Sequence, residues 1–132
     1  MPATKTRILV VEPDARSLRE LEAQLSAYYH VVGVPQFDRA VTTLRSERDV
    51  KAVLISTAKG ADVLGLFTSI RREWPVMLRI LLTEFEDLSQ VVEGLHSGAI
   101  QRIVSKPLQH AELLGTVPTM TGGTTGNFDH AA

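Results

Sequence analysis

Four short apolar runs, each stopped by a polar residue, limit what this chain can fold into. They are Ile8-Leu9-Val10-Val11 before Glu12, Ala52-Val53-Leu54-Ile55 before Ser56, Ile80-Leu81-Leu82 before Thr83, and Ile103-Val104 before Ser105-Lys106-Pro107. Apolar residues in unbroken runs, rather than in alternation, mark strands covered on both faces, as in a parallel sheet. A weaker run, Val31 to Val34, is interrupted by Gly33 and stopped by Pro35, and reads as the second strand in chain order.

The segments between the runs carry helical periodicity. Asp14 stands where an N-cap belongs, ahead of Leu18, Leu21, Leu25 and Tyr28 on one face. Phe37, Ala40, Val41 and Leu44 give a second helical face. Asp62 can cap a third helix that points Val63, Phe67, Ile70 and Trp74 inward, and Pro75 prevents its continuation. Asp87 and Gln90 have capping-box spacing, Leu88, Val91, Val92 and Leu95 are expected to form the buried face of a fourth helix, and Gly98 closes it. A fifth helix starts at His110 and reaches Leu114, but Gly115 and Pro118 hold it to a turn or two.

Strands alternating with helices predict an α/β architecture, because parallel neighbours need crossover helices. The expected fold is a flavodoxin-like, doubly wound, five-stranded parallel sheet of order 2-1-3-4-5, with helices on both faces and the fifth helix short. Ligands of such sheets gather at the carboxyl ends of the strands, near the crevice between the first and third. Glu12, Ser56, Thr83 and Lys106 all stand at that end.

A chain of 132 residues with 44% apolar and 22% charged content suits one soluble domain, placed at residues 5–117. Residues 118–132, rich in Thr and Gly, read as a flexible tail or linker. No apolar run is long enough to span a bilayer and no signal-peptide pattern opens the chain, so a cytoplasmic address is expected. The absence of cysteine excludes disulfides, thiolate metal sites and a cysteine nucleophile. A net charge of −1 and scattered basic residues give no footprint for nucleic acid or an anionic membrane. Arg71, Arg72, Arg79 and Arg102 read as solvated helix and strand edge, and His30, His96 and His110 are too dispersed for a metal site. No Gly-rich phosphate loop follows the first strand, which sets a nucleotide-binding enzyme aside.

In their order and spacing these marks resemble the receiver domain of bacterial two-component response regulators, over Lys5 to Val117. The segment from Arg79 to Pro107 is especially similar to receivers attached to hydrolase or transcription-factor outputs. The resemblance implies an aspartate ending the third strand that a histidine kinase phosphorylates, and two acidic residues after the first strand that hold a divalent metal with it. It also implies a Thr or Ser and a Lys that contact the phosphoryl oxygens, which Thr83 and Lys106 match, and a Lys-Pro bond that is often cis. The departures are in the chemistry. Ser56 occupies the phosphoacceptor position, and the acidic pair is reduced to Glu12 and Pro13, with Asp14 offset by one. The loop from Ser56 to Asp62 is one residue shorter, and Ile103 occupies the place of the switch aromatic.

A serine hydroxyl needs a base beside it to act as a nucleophile, whereas a carboxylate is already ionised. A hard cation needs several oxygen ligands, and Glu12 with the remnant Asp14 offers few, so no Mg2+ or other cofactor is expected. Glu12 is expected to pair with Lys106, Ser56 to bond to backbone, and Ile103 to stay packed. The expected function is an atypical, non-enzymatic receiver that regulates a protein partner, or an output domain of the same pathway, by contact without phosphorylation. The resemblance places docking at the fourth helix, fifth strand and fifth helix, where Leu108, Leu113 and Leu114 would leave apolar surface for a partner or a second copy. The alternative is a phospho-switch with Ser56 as an unorthodox acceptor and a weakened metal site.

Overall fold

The computed structural model describes residues 5–58, 61–83 and 88–106. Among them five strands, β1 (Thr6–Val11), β2 (Tyr29–Val34), β3 (Val50–Ser56), β4 (Leu78–Thr83) and β5 (Arg102–Ser105), form one parallel sheet of order β2-β1-β3-β4-β5. Four α-helices connect them: α1 (Ala15–Leu25), α2 (Ala40–Ser46), α3 (Val63–Glu73) and α4 (Leu88–Ser97). A 3-10 turn at Phe37–Arg39 leads into α2.

The unbroken apolar runs are divided by strand alternation into two cores. Ile8, Val10, Ala52, Leu54, Ile80 and Leu82 face α1, whose Leu18, Leu21 and Leu25 close over them. Leu9, Val11, Val53, Ile55 and Leu81 face the opposite way, against Ala40 and Leu44 of α2, Phe67 and Ile70 of α3, and Val91 of α4. Helices on both faces thus explain why no polar residue interrupts these runs. The capping residues act as the sequence predicts. Asp14 accepts from the Arg16 amide at 3.3 Å, Asp62 from the Gly65 amide at 2.9 Å, and Gly98 follows α4 with a φ of +85°.

Three details depart from expectation. Tyr28 is 40% exposed beyond the end of α1, while Tyr29 is 1% exposed in the core, because β2 begins two residues earlier than Val31. On α4, Val91 faces in, but Val92 and Leu95 are 62% and 45% exposed. The inward position is taken by Gly94 instead, where an added Cβ would lie 2.3 Å from Ile100 Cδ1. Close approach of the helix to Ile100 therefore turns the apolar pair outward. Arg79, expected at a solvated edge, is buried. The expected Asp87–Gln90 capping contact, the fifth helix, the Lys106-Pro107 bond and the tail lie outside the described residues.

Candidate functional site

The site is assembled by register. β1 and β3 pair Val11 with Ile55, so the next position in each chain sets Glu12 beside Ser56. β4 and β5 pair Thr83 with Ser105, and the Lys106 amide continues that ladder to the Thr83 carbonyl at 3.0 Å. The Glu12 amide likewise bonds the Val34 carbonyl at 3.1 Å, and Thr57 bonds the Leu82 carbonyl at 3.0 Å. Backbone bonding thus extends one residue past the strands and fixes where these side chains start.

One carboxylate oxygen is the hub. The Ser56 hydroxyl donates to Glu12 Oε1 at 2.7 Å, and Lys106 Nζ donates to the same oxygen at 2.5 Å. Glu12 Oε2 accepts the Asp14 backbone N–H at 3.1 Å. Glu12 is 3% exposed, and Ser56 and Thr83 are buried with it. A carboxylate taken this far from water requires a counter-charge and hydrogen bonds, and the three donors supply both. Ser56 thus bonds to a carboxylate, where a bond to backbone was expected. That contact could not be foreseen without the β1–β3 register.

Asp14 contributes its amide, while its carboxylate turns away. The Asp14 carboxylate accepts from Ser17 Oγ at 2.9 Å and from the Arg16 amide, and the Ser17 bond leads in lowering its pKa below the ordinary carboxylate value. The acidic side chain left in the pocket is therefore Glu12. Ile103 is half-buried and packs against the core beneath α2, α3 and α4.

A divalent cation would need about six oxygen ligands around it. Both Glu12 oxygens are engaged, Pro13 offers no side-chain oxygen, Asp14 is committed to the helix cap, and an ammonium occupies the nearest space. Among the described residues no three His, Asp or Glu side chains converge so as to hold an ion. These residues do not fit a divalent metal.

Sheet order and topology, together with the placement of Glu12, Ser56, Thr83 and Lys106 at the strand ends, define the class of fold: it is the fold of the response-regulator receiver domains to which the chain is similar. A signal receiver domain of an HD-domain-containing protein from Pseudomonas fluorescens Pf-5 superimposes with a TM-score of 0.74 at 29% identity, over 83% of this chain and 89% of that one. A response-regulator receiver domain from Clostridium thermocellum reaches a TM-score of 0.78 at 15% identity, over 96% of each chain. In sequence, the hydrogenase transcriptional regulatory protein HoxA of Cupriavidus necator is 24% identical over 119 residues, which are 89% of this chain. The chain spans about a quarter of the length of the curated relatives it matches. No protein-family profile matches it. No helix of the described residues is long and apolar enough to cross a membrane.

Arg79, which reads from the sequence as a solvated edge residue, is buried. It sits second in β4 with its guanidinium among backbone carbonyls. The available signal was a charged residue beginning an otherwise apolar strand of a parallel sheet, a position that water does not reach.

Proposed function

We propose that this chain is an atypical receiver that regulates by protein contact, without phosphorylation and without a metal cofactor, and that it is not an enzyme. The observation that carries this reading is the hub at Glu12 Oε1, held at once by Ser56 and Lys106. Phosphoryl transfer to a receiver needs an ionised acceptor and free positive charge for the phosphoryl oxygens. Here the acceptor position is a buried hydroxyl, and the lysine that would meet the phosphoryl group is spent on neutralising Glu12. Ile103, aliphatic and packed, has no polar edge to turn outward as a switch.

The partner of this reading is a protein of the same signalling pathway, or an output domain carried with the receiver, in the cytoplasm. The expected docking face includes α4, where Val92 and Leu95 stand exposed, and self-association through it is one arm of the proposal. In this proposal the domain is residues 5–117, with 118–132 as a tail or linker. Incubation with acetyl phosphate and Mg2+, followed by intact-mass spectrometry, tests the chemistry. The expected result is an unmodified chain with an unchanged melting temperature in Mg2+ and beryllofluoride.

The second reading, Ser56 as an unorthodox acceptor, draws on the same contact, since a carboxylate at 2.7 Å from the hydroxyl is placed as a base would be. Against it stand the complete burial of Ser56 and the pairing of Glu12 with Lys106. A stable adduct that disappears in Ser56→Ala would establish this second reading in place of the first.

A further inference from the structure

The buried cation at the other end of β4 has no part in the strand-end site. Arg79 is 3% exposed, and among the described residues it forms no ion pair. Its Nε donates to the Ala99 carbonyl at 2.9 Å, Nη1 to those of Met77 at 2.9 Å and Pro75 at 3.4 Å, and Nη2 to that of Gly98 at 3.2 Å. A second guanidinium joins it from α3. Arg71 Nη1 donates to the Ser97 carbonyl at 2.5 Å and lies 3.2 Å from where a Cβ on Gly98 would stand. Residues 97, 98 and 99 are the last residue of α4 and the turn after it. Their carbonyls have no partners within the helix and carry the negative end of its dipole.

A buried guanidinium and an exposed one are brought together here, and burial and the Arg71 charge both pull the Arg79 pKa down. Such an arrangement persists only where the acceptors around it compensate. The acceptors belong to two turns, Pro75 and Met77 before β4 and Ser97 to Ala99 before β5, so the guanidinium pair ties one to the other. Gln101 adds to the tie, accepting the Arg79 amide at 2.9 Å and donating its own amide to the Arg79 carbonyl at 3.0 Å.

We propose that Arg79 and Arg71 form a clamp that fixes the C-terminal end of α4, so that the pose of this helix is set at the amino-terminal edge of the sheet and is independent of the strand-end pocket. Thr83 lies four positions along β4 from Arg79, roughly 13 Å at about 3.3 Å per residue. The exposed Val92 and Leu95 ride on a helix whose far end is held by backbone acceptors, with no contact from Glu12, Ser56 or Lys106 among them. Arg79 is a positioning residue in this arrangement.

Amide hydrogen exchange on the full chain under native conditions tests the clamp, comparing wild type with Arg79→Met, Arg71→Met and Glu12→Gln. Arg79→Met is expected to speed exchange over residues 94–102 by about tenfold or more, with β1 and β3 unchanged, because local opening is read separately from global unfolding. Arg71→Met gives a smaller increase in the same segment. Glu12→Gln acts on the carboxyl ends of β1 and β3 and leaves 94–102 as in wild type. The proposal is overturned if 94–102 is unaltered in both arginine variants, if exchange rises uniformly through the chain, or if Glu12→Gln moves 94–102 as much as Arg79→Met does. Should Arg79→Met fail to fold, the exchange of Arg71→Met, altered at an exposed side chain, decides between these outcomes. An adduct on Ser56 would end the phosphorylation-independent reading while leaving the clamp intact, so the two fail separately.

Discussion

Replacing Lys106 with methionine removes the counter-charge of Glu12 while keeping most of the side-chain volume. Breaking a buried pair from one side costs about 3–5 kcal/mol, because the remaining charge is stranded away from water. The lower end applies here, about 3 kcal/mol, since the Ser56 hydroxyl and the Asp14 amide still reach the carboxylate and the lysine side chain is itself 19% exposed. At about 4 °C per kcal/mol for a domain of this size, the melting temperature should fall by about 12 °C. Glu12→Gln is milder, about 1.5 kcal/mol, because Lys106 can turn to water while the amide keeps its hydrogen-bonding capacity. In the double variant no charge is stranded, and the loss should be about 2–3 kcal/mol, well below the sum of the singles. Urea unfolding at neutral pH measures all four corners, with the slope against denaturant unchanged if the unfolded state is the same. A coupling of about 2 kcal/mol is expected; additivity to within about 0.5 kcal/mol would mean that Glu12 and Lys106 do not depend on each other.

The other predictions concern single positions. Ser56→Asp sets a second carboxylate against Glu12 with one ammonium between them; it should lose about 2 kcal/mol without divalent ions and regain stability in millimolar Mg2+, as wild type does not, by thermal melts with and without EDTA. Asp14→Asn keeps the helix cap and removes a titrating group. Because the Asp14 pKa is lowered in the fold, its stabilisation is present above the unfolded carboxylate pKa and lost as pH falls through the folded one. The variant should therefore be less stable than wild type near neutrality, with the gap closing as the pH falls into acid, read from urea midpoints against pH. Gly98→Ala forces a Cβ onto a residue at φ +85° and should cost about 1–2 kcal/mol by the same denaturation assay, with fold and spectrum unchanged.

The fold was legible because its strands are buried on both faces. Ala52 to Ile55 can only be an interior strand, and the capping residues Asp14 and Asp62 mark the helices that follow two of the runs. What was not legible depends on neighbours. Tyr28 and Tyr29 are equivalent in composition, and which one enters the core is decided by where β2 begins to pair with Thr6. Val92 and Leu95 lie on a helical period with Val91, yet the close packing of Gly94 on Ile100 selects a different face. In the site, the residue types at the strand ends were readable, but the hydrogen bond from Ser56 to Glu12 follows from the β1–β3 register, which no single run contains. Arg79 looked like a surface cation because its acceptors are carbonyls of two distant turns, and carbonyls leave no trace in a sequence.

The contact that satisfies Glu12 is also the contact that withdraws Lys106 from other work. A phosphate or phosphate mimic entering the pocket would need the ammonium, and so would have to separate a pair in which the carboxylate is 3% exposed. If separation costs about 3 kcal/mol, the anion is penalised by roughly a hundredfold in affinity before any favourable contact is counted. A divalent ion faces the converse problem, since it must compete with an ammonium already seated on the same oxygen. On the proposed reading, folding stability and phosphoryl recognition compete for one nitrogen, and the buried position of Glu12 weighs on the side of the fold.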